Sequence, residues 1–240
     1  VNYEIGARTQ LFDRRLTLNL SLFHERFNNF QTTVSEVGAD GITRSVLSNA
    51  PHVLSRGIEG EVSFRVTPNL TIGGNASYAP TKYEDFLAPC YGGQPRLSGP
   101  GQGCYALGTG TVNDVSGLPS IQAPKMTFNV NGDYSADLND RMKVFANANY
   151  YHRSTAWSVA GNPNTIIPAY GIFNGSIGIG ARDGSVRLSV YGRNIFDKVF
   201  VDLKAEFAVE VRVLVPTNRL QEEIPFRVRR FWRQRARCEP

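Results

Sequence analysis

The 240 residues include 23 glycines, 10 tyrosines and 14 phenylalanines but only two methionines, a balance that favours strands over a helical bundle. No run of about 18 apolar residues exists, which excludes a transmembrane helix, while negative mean hydropathy leaves a barrel open because half of its strand positions are polar. The net charge of +5 marks no nucleic-acid partner, because six of the 26 basic residues and one of the 21 acids fall between Ile224 and Pro240 and the chain before them is neutral.

The chain opens at Val1 with no basic and then apolar leader, so the start is expected to be an internal cut rather than a signal peptide. The first segment, Val1 to Leu11, alternates Val1, Tyr3, Ile5, Ala7, Thr9 and Leu11 with Asn2, Glu4, Gly6, Arg8 and Gln10. A tight turn at Phe12, Asp13 and Arg14 leads to a leucine strand, with Leu16, Leu18, Leu20 and Leu22 on one side and Thr17, Asn19, Ser21, Phe23 and Glu25 on the other. Alternation with a period of two places successive side chains on opposite faces, so one face can meet lipid and the other water. Gln31 to Ala50 reads as a loop, with a small hairpin open at Asp40-Gly41.

A third strand, about Leu54 to Val66, sends Ile58, Val62 and Phe64 outward and Glu59, Glu61, Ser63 and Arg65 inward. Thr67-Pro68-Asn69 turns it, and Leu70, Ile72, Ala76 and Tyr78 return outward opposite Thr71, Asn75 and Ser77. After the longest polar gap, Ala88 to Ser120, Met126 to Tyr134 and Met142 to Tyr150 form a third hairpin, with Lys125, Asn129, Asn131, Lys143, Asn147 and Asn149 inward. The fourth pairs Phe173, Ile177 and Ile179 with Val186, Leu188 and Val190 across Arg182-Asp183-Gly184-Ser185, where Asp-Gly suits a two-residue turn with both residues at positive φ.

Short turns therefore share one side and long loops the other, as in outer-membrane barrels, where short turns are periplasmic. A ten-residue strand rises about 33 Å, and a tilt near 45° leaves about 23 Å along the membrane normal, close to the ~25 Å apolar band. Phe64 and Tyr134 beside the turns, and Tyr3, Tyr78 and Tyr150 toward the loops, suit two interfacial aromatic girdles. Enrichment of aromatics in strands generally is the competing explanation.

Cys90 and Cys104 lie close together in the longest gap and read as a loop disulfide, hence an oxidising compartment, with two free thiols as the alternative. Metal and catalytic patterns are poor. His24, His52 and His152 are scattered, and Glu84 and Asp85 would point to opposite faces of a strand. The inward charges Arg8, Glu25, Glu59, Glu61, Arg65, Lys125, Lys143, Arg187 and Arg193 would line a lumen, unless they serve only to solvate its interior. Tyr91, Tyr105 and Trp157 are candidates for touching a ligand from the loops, or else they pack locally.

Tyr191-Gly192-Arg193-Asn194-Ile195-Phe196-Asp197-Lys198 is similar to the Asn-Leu-Phe-Asp-Lys signature near the end of TonB-dependent outer-membrane receptors. Leu11 to Leu16, Ser55-Arg56-Gly57-Ile58-Glu59-Gly60-Glu61, Thr67 to Leu70, and Leu118 through Lys125 resemble further pieces of that family in the same order. The resemblance implies a 22-stranded barrel filled by an N-terminal plug with a TonB-contacting box, and no segment here matches plug or box. In a closed receptor of this kind the inward row would hold the plug.

The expected fold is all-β, an antiparallel meander of about eight to nine long strands forming a partial transmembrane β-barrel. Residues 1–203 are expected to be the C-terminal portion of the barrel, and 204–240 an atypical basic tail. Phe207, Val209, Val211, Val213 and Val215 offer a ninth strand that Pro216 stops. Beyond it the arginine-rich end reads either as a change of reading frame after Leu203 or as a true basic tail lying on a membrane or disordered. The resemblance implies an outer-membrane receptor for active uptake of a scarce solute such as a siderophore, vitamin or saccharide, with membrane lipid, the TonB complex and a small-molecule ligand as partners and no cofactor. A passive porin-like channel and a soluble β-sandwich binding module are the alternatives. The solute is not legible.

Overall fold

A computed structural model describes the backbone of residues 1–214 and 223–236 and the side chains of residues 1–204. Eight long strands follow one another in an antiparallel sheet: β1 (Asn2–Leu11), β2 (Leu16–Val37), β3 (Thr43–Thr67), β4 (Leu70–Tyr78), β5 (Met126–Asp137), β6 (Met142–Arg153), β7 (Tyr170–Ala181) and β8 (Arg187–Gly192). Neighbours in sequence are neighbours in space throughout, and a short strand, Thr81–Glu84, adds to β3 beyond the end of β4. β1 and β8 do not pair with each other, so the sheet is an open segment of wall.

Register makes the faces continuous. Leu20 pairs with Ala7 and Gly60, Gly60 with Ala76, and Ala76 with Phe128, so one row stays on the apolar side across five strands. One residue along, Asn19 pairs with Arg8 and Glu61, Glu61 with Asn75, and Asn75 with Asn129, all on the polar side. A slip of a single residue in any pair would have interleaved the two sets. Leu18, Leu20, Leu22, Ile58, Val62, Ile72, Val130, Ile177, Leu188 and Val190 are all exposed, and among the described residues no second sheet covers them. A soluble sandwich would bury that face against a partner sheet.

The buried core lies at the long-loop end instead. Val34, Ala50, Val53, Tyr83, Phe86, Ala88, Val115 and Ala160 form it. Gln31 to Ala50 is therefore not a free loop: β2 and β3 continue as a paired ribbon to Val37 and Thr43 and turn through Gly38–Ile42 around the Asp40-Gly41 pair. Asn29 takes φ 53°. Below it the odd positions Val53 and Ser55 are buried, and above it the even positions Thr32, Val34 and Ala50. A single left-handed residue thus bends the ribbon inward and turns its other side onto the core, at a position where Asn tolerates that conformation better than most side chains do.

The longest gap is likewise ordered. Leu87–Ala88, Gly103–Leu107 and Gly110–Asp114 make a three-stranded sheet, and a disulfide joins Cys90 to Cys104 across a Cα separation of 5.6 Å. At the opposite end, the Arg182–Ser185 turn holds only Gly184 at positive φ, so Asp183 and Gly184 do not form the expected two-residue turn. Instead the Ala181 N–H donates to Val186 O at 2.8 Å and the Asp183 carboxylate accepts from Ser185, which leaves Val186 outside β8. Phe12, Asp13 and Arg14 all take positive φ in the first turn.

Phe200–Leu214 pairs with Glu223–Ala236 in a separate two-stranded sheet rather than with β8. Val215 and Pro216, and every side chain of the basic stretch, lie outside the described residues.

Candidate transport surface

The polar face is built by alternation alone: each wall strand sends every second side chain to it. Its charged residues fall into three zones. Midway along β1 to β4, Glu4 accepts from Ser21 Oγ at 2.6 Å, Glu61 from Asn19 Nδ2 at 2.9 Å, and Glu59 from Ser77 Oγ at 3.0 Å. With Arg8 and Asn75 these carboxylates border a concavity of about 680 Å³. Glu25 lies further toward the loops, paired in register with Asn2 and Ser55.

At the short-turn end, Lys143 and Arg187 share a smaller hollow of about 330 Å³ with Thr71, Asp133 and Asn147. The Arg187 guanidinium sits 3.5 Å over the Phe145 ring, a cation–π contact that Gly178 permits because any Cβ there would collide with the ring. Arg65 is nearby, where the β3–β4 register shifts, and its carbonyl accepts from Arg15 Nε at 3.1 Å. At the loop end stand Lys125, immediately before β5, and Arg193, whose guanidinium lies 5.9 Å from the Tyr191 ring centre. The nine inward charges singled out from sequence thus form no single cluster.

Between the zones runs an amide belt that sequence reading did not pick out as a set. Asn149 Nδ2 donates to Asn129 Oδ1 at 2.6 Å, Asn147 Nδ2 to Asp133 Oδ1 at 2.7 Å, Asn131 Nδ2 to Asp133 Oδ2 at 3.1 Å, and the Asn194 N–H to Asn174 Oδ1 at 2.9 Å. The signal was the recurrence of Asn at alternate positions of β5 and β6. Carboxamides carry both donors and acceptors without net charge, so such a belt can hydrogen-bond a protein backbone or a hydroxyl-rich solute with equal ease.

Among the loop aromatics, Tyr105 is buried in the disulfide sheet and is withdrawn from any ligand. Trp157 pairs its short strand with Ile166, and the Tyr91 N–H donates to Gln94 Oε1. At the ribbon tip the Arg44 guanidinium donates to Asp40 Oδ1 at 3.0 Å. That bond, followed by the Ile42 N–H, lowers the Asp40 pKa to about 2. Glu84, far from forming an acid pair with Asp85, pairs with Arg26 at 3.1 Å.

A sequence profile described as TonB dependent receptor-like, beta-barrel matches residues 1–195. The chain belongs to the TonB-dependent receptor β-barrel family. Solved structures of similar shape agree on the fold. The ferric yersiniabactin uptake receptor FyuA from Yersinia pestis aligns at TM-score 0.61 and 16% identity over 85% of this chain and 26% of its own. The siderophore receptor PiuA from Acinetobacter baumannii gives 0.54 and 16% over 83% and 24%. The ferric-catecholate import receptor Fiu from E. coli K12 gives 0.52 and 19% over the same shares. The chain thus spans about a quarter of the length of these receptors. No curated protein sequence matches it. Among the described residues of this TonB-dependent receptor chain no helix is long and apolar enough to cross a membrane, which says nothing of crossing by strands.

Proposed function

We propose that this chain is the C-terminal part of the barrel wall of an outer-membrane receptor for active uptake of a scarce solute such as a siderophore, vitamin or saccharide. The single observation that supports it best is the register that holds along the length of the strands. Eight strands keep the leucines, isoleucines and valines of the band on one face and the charged residues of the same band on the other, with short turns at one end and folded loops at the other. Family membership and the siderophore receptors among structures of the same fold point the same way. On this reading residues 1–203 supply wall, lumen and loops, and 204–240 stand apart from the wall.

Mechanistically, the wall does no covalent chemistry and we assign it no catalytic residue. The loops and the disulfide sheet over β2 and β3 capture solute at the outer surface. The carboxylates, amides and cations of the polar face hold a plug domain through exposed hydrogen bonds and ion pairs. Such contacts are individually worth about 0–1 kcal/mol, weak enough for TonB-driven force to break in succession. The amide belt then lines a hydrated path.

Spin labels at Leu20 and Val144 in the complete receptor test the membrane placement. Collisions with oxygen dissolved in acyl chains are expected to dominate at both sites, and dominance of a water-soluble relaxant would sink the reading. Solute uptake by cells with and without TonB tests the transport class. Conduction that persists unchanged without TonB would indicate a passive channel instead.

A further inference from the structure

We propose that the loop end of the polar face receives a carboxylate of the transported solute on one edge of the Arg153 guanidinium. Arg153 is the last residue of β6 and pairs in register with Tyr170, the first of β7. It stands four residues beyond Asn149 of the amide belt, and so on the same face. Its guanidinium carbon lies 5.3 Å from the centre of the Tyr170 ring. Nε and Nη2 are shut off from solvent, and neither has a hydrogen-bond partner among the described residues. Those two nitrogens share one edge of the guanidinium, and their parallel N–H bonds match the two oxygens of a carboxylate.

The ordinary explanation of an arginine on an aromatic ring is packing, and the empty edge argues against it. A cation–π contact leaves the N–H groups in the guanidinium plane to find acceptors of their own. Water supplies them at an exposed site, whereas a buried donor without an acceptor is costly, the more so when it is charged. The acid beside it does not fill the place: Asp202 accepts from the Tyr170 hydroxyl at 3.3 Å and forms no ion pair with Arg153. The surroundings favour an anion with a flat or apolar body. Tyr170 lines a hollow of about 340 Å³ with Phe200, Lys198 and Lys204. The Phe200 ring stacks on that of Tyr170 at 4.6 Å, and the Tyr151 ring lies 6.3 Å away. Two ammonium groups at the hollow draw anions toward this corner. A neutral saccharide could accept the two hydrogen bonds but would leave the buried charge unmatched. The carboxylate reaches the edge once the segment 200–204 draws back from Tyr170 and takes Asp202 with it.

This inference rests on the uptake reading and narrows its solute to one that bears a carboxylate. The complete receptor, purified in detergent and checked for heat-modifiable gel migration, is titrated with para-fluorobenzoate and with the neutral para-fluorobenzamide. Binding is read from fluorine NMR line widths. The benzoate is expected to bind at least about ten-fold more tightly than the amide. R153Q should abolish that preference. R153K, which keeps the charge but not the two-pronged edge, should reduce it to about three-fold and serves if R153Q does not fold. Equal binding of the two probes by the unaltered receptor, or an undiminished preference in either folded variant, would overturn the inference. An acid of the plug already seated on Arg153 would give the first of these results, and the solute would then not be the partner of this edge. Uptake that requires TonB leaves the transport reading standing beside either result. Uptake that proceeds without TonB would overturn that reading itself, whichever probe binds.

Discussion

The hydroxyls of Thr32 and Tyr83 meet at 2.6 Å inside the loop-end core, and the Tyr83 oxygen also accepts the Ile121 N–H at 3.3 Å. Three segments that are distant in sequence are thereby tied at one buried atom: the ribbon, the short strand beside β3, and the lead-in to β5. Replacing Tyr83 with Phe leaves a buried hydroxyl and an amide without their partner, at about 1–3 kcal/mol. Replacing it with Ala also opens a cavity beside Phe86, whose ring centre lies 5.1 Å away, at about 3–5 kcal/mol. Tryptic cleavage after Arg96 in the folded receptor should therefore accelerate modestly in Y83F and strongly in Y83A. Equal protection in all three proteins would show that this contact does not hold the loops down.

Facing along β2 predicts a sharp contrast between neighbours. Leu18→Arg places a cation on the apolar face near its middle and should destabilise the inserted barrel by about 2–4 kcal/mol. Asn19→Arg, one residue on, projects to the polar face, where Glu61 lies within hydrogen-bonding reach of position 19. It should cost well under 1 kcal/mol as an exposed ion pair. Denaturant titration of the receptor refolded into lipid vesicles measures both, and equal losses would contradict the assigned faces.

Removing the Cys90–Cys104 link relaxes a loop of sequence separation 14, worth about 3 kcal/mol in the chain-entropy account. Because the disulfide lies in the loop sheet and not in the wall, C90A/C104A should keep the heat-modifiable migration of the receptor while speeding cleavage after Arg96. Wild-type receptor treated with reductant should behave like the double variant. Loss of the whole barrel would mean that the sheet is part of the folding unit of the wall.

At the ribbon tip, the Arg44 bond holds the Asp40 pKa near 2, below its ordinary 3.8. A lowered folded-state value means that the carboxylate supports the tip fully above the ordinary pKa and that this support fades as pH falls through about 2. Carbon NMR of labelled aspartate in the receptor should find a midpoint near 2 that moves toward 3.8 in R44Q. An unmoved midpoint in R44Q would shift the cause to the Ile42 N–H, the second contributor.

The wall was legible because its information is local. Leu16, Leu18, Leu20 and Leu22 alternate with Thr17, Asn19, Ser21 and Phe23. A period of two at that length permits little besides a strand with unlike faces, and short turns then force neighbouring strands into an antiparallel meander. The lumen candidates were legible only as a row. Whether Glu59 lies near Glu4, or Arg187 on Phe145, depends on register between strands far apart in sequence.

Sequence by itself thus determined the membrane-length parts of the strands, their two faces and the short turns at one end, since each follows from side-chain alternation and turn residues within a dozen positions. Tertiary structure alone decided that the β2–β3 ribbon bends at Asn29, that Val34, Tyr83 and Val115 share a core, and that Arg26 and Lys82 flank Leu54. Burial rewards any apolar partner that fits, whatever its distance along the chain, so a loop carries no local mark of what will cover it.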